Sequence, residues 1–386
     1  MIRRENSFLQ TLKQLDFVLL IAVFALTVYG IVCVSTASAY HGTNRNVIVQ
    51  LFGAVLGVAV MIVLSLADYD LLLKKFYIPV FIAGLALLTL PLISSIPSML
   101  HGSFGSNKNW ITLPFIKVDF QPSEFVKFTF IMSFGYLLGK LKDDTNRLKS
   151  VLLILLFSGT TIFFVMLEKD LGAAVVFFVI FIVMWFTAKM SLWYLAGGLA
   201  VFAFAAPFLW GFLEEYQKKR ILVGFDPWSD PTDKGYQVIQ TIKAMQNGGV
   251  FGMGYGNGTL THAASKSVWP ARETDMIFGV IGEEFGFVGI IIYIALISVV
   301  IFRILRIARD ARHEYGSYIC AGVAAVFIFQ TVENIGMCLG MLPVIGLTLP
   351  FISYGGSSIL SLYIGIGIVM SVRTHKQKYY FERDVV

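Results

Sequence analysis

The sequence predicts an all-α integral membrane protein with about ten transmembrane helices and one large extracytoplasmic loop. Two features of the composition support this fold class: 57% of the 386 residues are hydrophobic and only 14% are charged, whereas about 25% of residues are charged in soluble domains. The third observation is a series of apolar runs close to the ~20 residues that cross a bilayer core. These runs lie at residues 17–37, 46–66, 76–95, 122–139, 150–167, 171–188, 191–212, 275–302, 317–340 and 350–372.

We interpret the chain as a single membrane domain, residues 1–386, in which residues 213–274 form the large loop between the seventh and eighth helices. Only Glu168, Lys169 and Asp170 separate the fifth and sixth runs. We predict two helices here, because the merged run is about twice as long as one bilayer span.

The distribution of Lys and Arg predicts which side of the membrane each connection occupies. Basic residues concentrate on the cytoplasmic side of membrane proteins, and here they concentrate at the termini and in connections such as 140–149 and 303–312. Both termini are therefore predicted to be cytoplasmic, and the large loop is predicted to lie outside. The net charge of +6 comes mostly from these cytoplasmic flanks, where we expect it to interact with anionic lipid headgroups. The sequence contains no nucleic-acid-binding motif, so no nucleic-acid partner is expected.

Charged residues at the outer ends of the predicted helices are candidate ligands for an anionic group. Glu124 and Lys127 lie one turn apart at the start of the fourth helix, where Pro122 suits the first turn. They form either a buried ion pair or a site in which Glu124 orients Lys127 toward a phosphate. Asp170 and Arg220 add charge on the same side, which suits a phosphate-bearing lipid headgroup. Each is equally compatible with a solvated loop charge.

Two segments of the large loop have distinctive patterns. Val238, Ile239, Ile242 and Met245 recur with helical spacing, which predicts a short amphipathic helix. This helix lies in the interface, dips into the bilayer as a re-entrant helix, or packs on top of the bundle. Residues 248–258 then contain six glycines, which indicates either a flexible loop or a backbone that contacts a ligand.

Asp275 is the candidate catalytic residue. It stands where the large loop meets the eighth apolar run, and an ionisable residue at such a junction indicates function. Partial burial and the positive end of a helix dipole act in opposite directions on its carboxylate, which could then accept a proton from a hydroxyl group. The alternative is that Thr274 or Asp275 caps the helix.

Other polar residues lie at membrane depth. Glu283 and Glu284 point in different directions around the eighth helix, and we expect both to contact neighbouring helices. Residues 342–350 are apolar but contain two prolines and a glycine, which predicts a broken, partly re-entrant segment. Interhelical hydrogen bonds are expected from three residues of the ninth run, Gln330, Glu333 and Asn334.

Several motifs, in their order along the chain, resemble the RodA/FtsW/SpoVE (SEDS) family of cell-wall proteins. Their order and spacing over nearly the whole chain make the resemblance specific. The motifs are Phe120-Gln121-Pro122-Ser123-Glu124, Asp170-Leu171-Gly172, Asp226-Pro227-Trp228-Ser229-Asp230-Pro231, Gly235-Tyr236-Gln237, Thr274-Asp275 with Ile277-Phe278, Gly282-Glu283-Glu284, Asn334-Ile335-Gly336-Met337, Leu342-Pro343 and Pro350-Phe351-Ile352-Ser353-Tyr354-Gly355-Gly356-Ser357-Ser358.

The resemblance implies a peptidoglycan glycosyltransferase of the bacterial cytoplasmic membrane, which polymerises lipid II into glycan strands at the outer face for cell shape, division or sporulation. Asp275 matches the family's essential aspartate and is implied to be the base in an inverting transfer, from which undecaprenyl diphosphate leaves. The resemblance implies that Lys127 and Arg220, with Lys108 as a further candidate, neutralise the diphosphate. It implies that Glu124 and Asp170 shape the cavity or a metal site.

The resemblance also implies a class B penicillin-binding protein, a transpeptidase, as partner. No cofactor is certain, and Mg²⁺ or Mn²⁺ is the candidate divalent cation. The chain departs from the family at three positions: Ala271 and Glu273 stand where Glu and His are usual, and Asn109 stands where an Arg commonly precedes the tryptophan. Two other classes of function stay open, a transporter that flips lipid II and a non-catalytic scaffold that activates a transpeptidase.

Overall fold

The computed structural model describes residues 14–93, 109–113, 118–212, 214–232, 234–265 and 267–376. Within them the chain is almost entirely helical. The helices are α1 (Phe17–Ala37), α2 (Arg45–Leu66), α3 (Tyr69–Thr89), α4 (Pro122–Lys140), α5 (Leu148–Leu167), α6 (Leu171–Thr187), α7 (Leu192–Phe212), α8 (Glu215–Phe225), α9 (Lys234–Gly248), α10 (Ile277–Arg309), α11 (Glu314–Cys338) and α12 (Gly356–Thr374). An antiparallel hairpin that the sequence analysis did not predict, β1 (Ile111–Leu113) and β2 (Val118–Phe120), precedes α4.

Seven helices of the described residues are long and apolar enough to cross a membrane, namely α1, α2, α3, α5, α10, α11 and α12. The other three predicted spans also form helices, α4, α6 and α7, and α5 and α6 are separate, as predicted. The chain is therefore an all-helical, multi-pass membrane protein, which confirms the predicted fold class. The total of ten spans, the side of the termini and the single-domain assignment stay predictions.

The helices α11 and α12 are the most buried spans of the bundle. α12 packs along α2, and glycines on α2 permit the approach: a Cβ at Gly57 would lie 2.6 Å from the Tyr363 ring, and one at Gly53 would lie 2.8 Å from Ile359. Small residues let helix backbones approach closely in membranes. α11 packs against α4, α6 and α10, so the segments that connect α10, α11 and α12 are brought together.

The large loop contributes two helices, α8 and α9, of which only α9 was predicted. α9 carries the amphipathic pattern, and its residues Val238 and Ile239 are 0% and 4% exposed. It packs against α10, and Trp269 Nε1 from the end of the loop donates to Thr241 Oγ1 at 3.1 Å. The helix therefore packs on the bundle, and its placement relative to the membrane, interfacial or re-entrant, stays a prediction.

The glycine-rich segment, residues 248–258, packs against a break in α10. At Gly286 the φ angle is 65°, which interrupts the helix. The Met253 and Gly254 amides donate to the carbonyls of Glu283 and Glu284 at 2.9 and 3.0 Å. A Cβ at Gly252 would lie 2.2 Å from the second of these carbonyl oxygens, so only glycine permits this approach. Broken helices occur at membrane depth where protein satisfies the freed backbone groups.

The side chains of Glu283 and Glu284 hold the segment that follows this loop. The Glu283 carboxylate accepts hydrogen bonds from Leu260 N, Thr261 N and Thr261 Oγ1 at 2.9, 2.8 and 2.7 Å. Glu284 Oε1 lies 3.0 Å from His262 Nε2. Asn247 of the neighbouring helix α9 also lies 3.4 Å from Glu283 Oε1 through its Nδ2 atom, so the predicted contact with a neighbouring helix is present, but most of the donors come from the loop that returns along α10.

Candidate active site

Asp275 lies in a tight turn directly before α10. The turn is closed by the Ala271 carbonyl, which accepts from the Thr274 and Met276 amides, each at 3.0 Å. Met276 occupies the N-cap position of α10, so the prediction that Thr274 or Asp275 is the cap was wrong. The Asp275 side chain is only partly buried. It lies beside the positive end of the helix dipole, which favours an anion.

Asn334 of α11 holds this turn from one side. Its Nδ2 atom donates to the Asp275 carbonyl and to the Leu347 carbonyl, both at 2.7 Å. Cys338 Sγ packs 3.6 Å from the same Asp275 carbonyl oxygen. Asn334 was expected to form an interhelical hydrogen bond. It bonds instead to two non-helical segments, the turn before α10 and the segment after α11. Asn334 thus joins the Asp275 turn to residues 342–350.

The connection before α12 holds the turn from a second side. Ser353 Oγ donates to the Thr274 carbonyl at 2.8 Å, and the Tyr354 amide donates to the Glu273 carbonyl at 2.9 Å. Gln50 of α2, which is fully buried, in turn donates to the Ser353 carbonyl at 3.1 Å. These bonds go to backbone atoms, so the position of the turn does not depend on the side chain of Asp275.

The broken segment, residues 342–350, passes beside the Asp275 carboxylate. Between α11 and α12 the structure contains no helix, as predicted for this segment. At Gly346 φ is 80°, and a Cβ there would lie 3.1 Å from Asp275 Oδ2. On the other side of the segment, a Cβ at Gly172 would lie 2.9 Å from the Ile345 carbonyl oxygen. The segment therefore lies between Asp275 and the start of α6.

Asp170 organises the start of α6. Its Oδ1 atom accepts from the Ala173 amide at 2.9 Å, which caps the helix. Its Oδ2 atom accepts from Asn109 Nδ2 at 2.9 Å and from Gln121 Nε2 at 2.8 Å. Asp170 thus ties α4 and α6 to the residues before the hairpin and is not a solvated loop charge.

Lys127 and Glu124 form the predicted ion pair in α4. Lys127 is 2% exposed, and its Nζ atom donates to Glu124 Oε1 at 2.9 Å. Ser361 Oγ of α12 donates to Glu124 Oε2 at 3.1 Å and to the Ser358 carbonyl at 2.8 Å. Ser358 Oγ lies 3.1 Å from Thr348 Oγ1 in the broken segment. A continuous set of polar contacts therefore joins the ion pair to the segment beside Asp275.

Arg272 and Glu273 are two further buried charged residues, directly before Asp275 in the turn. Arg272 is 0% exposed; its Nη1 and Nη2 atoms donate to the Leu260 and Ala263 carbonyls at 3.1 and 2.8 Å. Its guanidinium stands 3.9 Å from the centre of the Tyr40 ring, whose hydroxyl donates to Glu273 Oε1 at 2.8 Å. Burial lowers the pKa of the Arg272 guanidinium. This pair ties the turn to the end of α1.

The structure does not test every proposed ligand. Lys108 lies outside the described residues, and so does the side chain of Arg220 in α8. For a divalent cation, the described part of the chain holds no group of three or more His, Cys, Asp and Glu residues with suitable spacing. The carboxylates of Glu124 and Asp170 are already engaged by the donors named above. These two residues do not fit a metal site as arranged, and the metal stays a prediction.

Three residues that shape the site were missed by the sequence analysis. Gln50 is a polar residue in an otherwise apolar run, which is a usable signal of function or close packing. Ser353 was noted only as part of a motif, and Arg272 only as part of the sequence before Asp275. Their roles consist of contacts with backbone far away in sequence, and no local pattern predicts such contacts.

An apolar groove of about 660 Å³ opens beside the start of α2 and the first turn of α12. Phe52, Phe120, Phe125 and Leu360 contribute to its apolar lining, and Arg45 also lines it. The Ser357 hydroxyl in its wall donates to the Asp119 carbonyl at 2.9 Å. The groove is therefore lined mainly by α2, with further residues from β2, α4 and α12.

These features define the class of the protein. It is a multi-pass membrane protein in which the turn that follows the large loop holds the Asp275 carboxylate beside α11 and residues 342–350. The model of the family FTSW_RODA_SPOVE, described as cell cycle protein, matches residues 14–378. The chain therefore belongs to the FtsW/RodA/SpoVE family.

Individual relatives agree with this membership. The chain is 35% identical over 377 residues to a probable peptidoglycan glycosyltransferase FtsW of Trichlorobacter lovleyi, across 94% of this chain and 93% of the relative. It is 32% identical over 371 residues to the peptidoglycan glycosyltransferase MrdB of Escherichia coli, across 94% of each chain.

Solved structures share the fold. One, described as structural coordination of polymerization and crosslinking by a peptidoglycan synthase complex, has a TM-score of 0.79 at 26% identity and covers 94% of this chain and 99% of that chain. The crystal structure of the Thermus thermophilus rod shape determining protein RodA has a TM-score of 0.68 at 24% identity, covering 93% of this chain and 96% of that chain.

Proposed function

We propose that this chain is a peptidoglycan glycosyltransferase that polymerises lipid II at the outer face of the cytoplasmic membrane, with Asp275 as the general base. The activity is the one named for the FtsW and MrdB relatives. The observation that carries the proposal is the Asp275 turn, a partly exposed carboxylate whose backbone is fixed by Asn334 and Ser353. A base must be held within hydrogen-bond reach of the proton that it removes.

In the proposed reaction the acceptor's GlcNAc 4-hydroxyl attacks C1 of the donor's MurNAc, and Asp275 takes the hydroxyl proton. The bond from C1 to the diphosphate oxygen breaks, and its electron pair stays on the departing undecaprenyl diphosphate. The anomeric centre inverts because attack and departure take place on opposite faces. Negative charge grows on the diphosphate, so a cation placed beside it lowers the barrier.

Lys127 is the cation that we propose for this role, together with Arg220 and Lys108. The ammonium group has three donor hydrogens, and Glu124 accepts one of them. Because Glu124 is itself held by Ser361, the pair keeps the ammonium in one place. Asp170 shapes the same cavity by tying α4 to α6.

The apolar groove beside Arg45 suits the polyprenyl chain of the substrate. Its aromatic and aliphatic lining would shelter hydrocarbon, and Arg45 in its lining would meet the diphosphate. We propose a class B penicillin-binding protein as partner, since the related solved structure is a complex that combines polymerisation with crosslinking. Both termini are proposed to be cytoplasmic.

Glycan synthesis from labelled lipid II, followed on gels, tests the proposal. The protein is purified alone and with a co-expressed class B penicillin-binding protein, and Asp275→Asn is compared with wild type. Asp275→Asn keeps the size of the side chain but cannot take the proton, so we expect a loss of at least about 100-fold in rate. Asp143→Asn, at an exposed position in the α4–α5 connection, is the matched control and should polymerise normally.

Normal polymerisation by Asp275→Asn would reject the base assignment. If folded wild-type protein with its partner makes no polymer but moves labelled lipid II across vesicles, the transporter alternative replaces the enzyme. If it does neither and still stimulates the transpeptidase, the scaffold alternative replaces it.

A further inference from the structure

The helix α9 runs in the same direction as the first part of α10. The contacts advance together along the two helices: a Cβ at Gly279 would lie 2.6 Å from the Thr241 side chain, and one at Gly282 would lie 2.5 Å from the Met245 side chain. At the last residue of α9, Gly248, a Cβ would meet the Gly282 carbonyl oxygen. The large loop therefore descends along α10, from the start of that helix toward the bilayer, as it forms α9.

The chain turns at the end of α9 and comes back along α10. In the turn, the Gly249 and Val250 carbonyls accept from the Phe287 and Val288 amides at 3.0 and 3.1 Å. After it, the two amide hydrogen bonds described above join the returning chain to the residues before the break in α10. Together α9 and the glycine-rich segment form a hairpin, which we call the α9 hairpin, with Val250 and Phe251 at its tip. Non-helical backbone is tolerated at membrane depth where protein satisfies its polar groups, and α10 satisfies these four.

The tip of the α9 hairpin presents apolar side chains to its surroundings. Val250 and Phe251 are 58% and 82% exposed, and Phe287 of α10, which bonds to the turn, is 58% exposed. Residues 244–261 contain no Asp, Glu, Lys or Arg, whereas residues 213–243 contain ten. A contiguous exposed apolar patch marks contact with another protein or with a membrane. The charges of the large loop thus end where the hairpin descends along α10.

Two helices place the tip at the edge of the hydrocarbon core. Asp16, before α1, pairs with Arg303 of α10 at the predicted cytoplasmic side. Sixteen residues of α10 separate Phe287 from Arg303, a rise of about 24 Å. Nineteen residues separate Asp16 from Ser35 of α1, a rise of about 28 Å, and Ser35 Oγ lies 3.0 Å from the Tyr255 hydroxyl of the hairpin. A hydrocarbon core is about 30 Å thick, and tyrosine rings are enriched at its boundary.

We propose that the α9 hairpin is a re-entrant membrane anchor, whose tip, Val250 and Phe251, inserts into the predicted outer leaflet and is covered by lipid hydrocarbon. Lipid is the occupant that fits, because the tip continues the apolar surface of α10, a helix long and apolar enough to cross the bilayer, at the depth where hydrocarbon begins. Through α9, which contacts Gly279 in the first turn of α10, the anchor supports the start of the helix next to Asp275. This inference goes beyond the proposed function and does not rest on it.

Spin labelling of the full chain in phospholipid vesicles tests the anchor. A nitroxide is attached to Phe251→Cys; the three native cysteines are buried, and wild type treated in the same way corrects for any label on them. Phe287→Cys reports the lipid-facing surface of α10. Ala264→Cys, at an exposed position of the same large loop, reports water. The measured quantity is the ratio of the collision rates of each label with oxygen and with a water-soluble nickel chelate.

Oxygen dissolves in hydrocarbon and the chelate stays in water, so the ratio rises where a label enters the bilayer. We expect the ratio at residue 251 to exceed that at residue 264 at least about threefold and to approach that at residue 287, since apolar surface is transferred from water into hydrocarbon. Equal ratios at residues 251 and 264 would overturn the proposal. So would low collision rates with both reagents at residue 251, because protein would then cover the tip.

Photocrosslinking identifies what covers the tip and needs no cysteine. Benzoylphenylalanine in place of Phe251 should give phospholipid adducts by mass spectrometry, with the protein alone and with a co-expressed class B penicillin-binding protein. The same group in place of Ala264 should give none. Adducts to the penicillin-binding protein or to a second copy of the chain, in place of lipid, would overturn the proposal. Glycan synthesis is measured separately on gels, so the anchor and the proposed function can fail independently.

Discussion

Replacing Lys127 by Met separates the structural role of the Lys127–Glu124 pair from its proposed role in catalysis. Lys127 is 2% exposed and its Nζ atom lies 2.9 Å from Glu124 Oε1. Removing one partner of a buried ion pair costs about 3–5 kcal/mol. Glu124 keeps its bond from Ser361 at 3.1 Å, so we expect the lower end, about 3 kcal/mol, or roughly 100-fold in the folding equilibrium.

The double variant Lys127→Met with Glu124→Gln isolates the catalytic contribution. Replacing both charges leaves no unpaired ion, so most of the lost stability should return. Glycosyl transfer should stay at least about 100-fold below wild type, because the cation that stabilises the departing diphosphate is still missing. Lys140→Met, an exposed lysine at the other end of the same helix, controls for the loss of a charge from α4.

Thermal unfolding in detergent measures the stability of each variant, and the lipid II gel assay measures its rate. A double variant that is stable and polymerises at the wild-type rate would show that Lys127 serves packing alone. A double variant as unstable as Lys127→Met would show that the reasoning about an unpaired charge is wrong.

Two further predictions follow from the backbone and from the outer loop. Gly346→Ala should reduce the rate of glycosyl transfer by more than about tenfold, because a φ of 80° is strained for alanine and the new Cβ would lie 3.1 Å from Asp275 Oδ2. Gly256→Ala is the control, since Gly256 has a φ of 77° but open space for a Cβ, so that this variant carries the backbone strain alone. Equal losses of rate in the two variants would contradict the reasoning. Burial, and then the charge of Asp170, raises the pKa of Glu168 from 4.5 to about 9. The protonated Glu168 carboxyl therefore makes its full contribution to stability below about pH 4.5, and this contribution is lost as the pH rises toward 9. Glu168→Gln should accordingly raise the unfolding midpoint at pH 8 and change it little near pH 4.5; the same gain at both values would contradict the pKa shift.

The apolar runs were sufficient to predict the helical membrane fold, because the bilayer requires long apolar helices wherever the chain crosses. The pair of Glu124 and Lys127 was also predictable, since residues three apart share a helix face. The hairpin before α4 and the break of α10 at Gly286 were not. A strand of three residues has no periodicity to detect, and the break is stabilised by backbone bonds from a loop some thirty residues earlier.

The candidate site, like the fold, was only partly predictable from the sequence. Asp275 was identified from its position, and its role was then sharpened by resemblance. The backbone around Asp275 is fixed by hydrogen bonds that side chains distant in sequence donate to carbonyl groups, namely those of Asn334, Ser353 and Gln50. Glu333 was expected to form an interhelical hydrogen bond, but within the described residues neither of its carboxyl oxygens bonds to another helix.

The same contacts explain how the turn tolerates its departures from the family pattern. The Ala271 carbonyl closes the turn, and any residue that adopts its φ of 60° supplies that carbonyl. Glu273 is fixed through its own carbonyl by Tyr354, so its side chain is not needed to place the base. The substitutions change instead what surrounds Asp275: a carboxylate that accepts from Tyr40 at 2.8 Å stands where the family usually has an imidazole. Because the backbone of the Asp275 turn is held by contacts that do not need these two side chains, we expect the departures to change the pH dependence or substrate preference of the proposed reaction rather than abolish polymerisation.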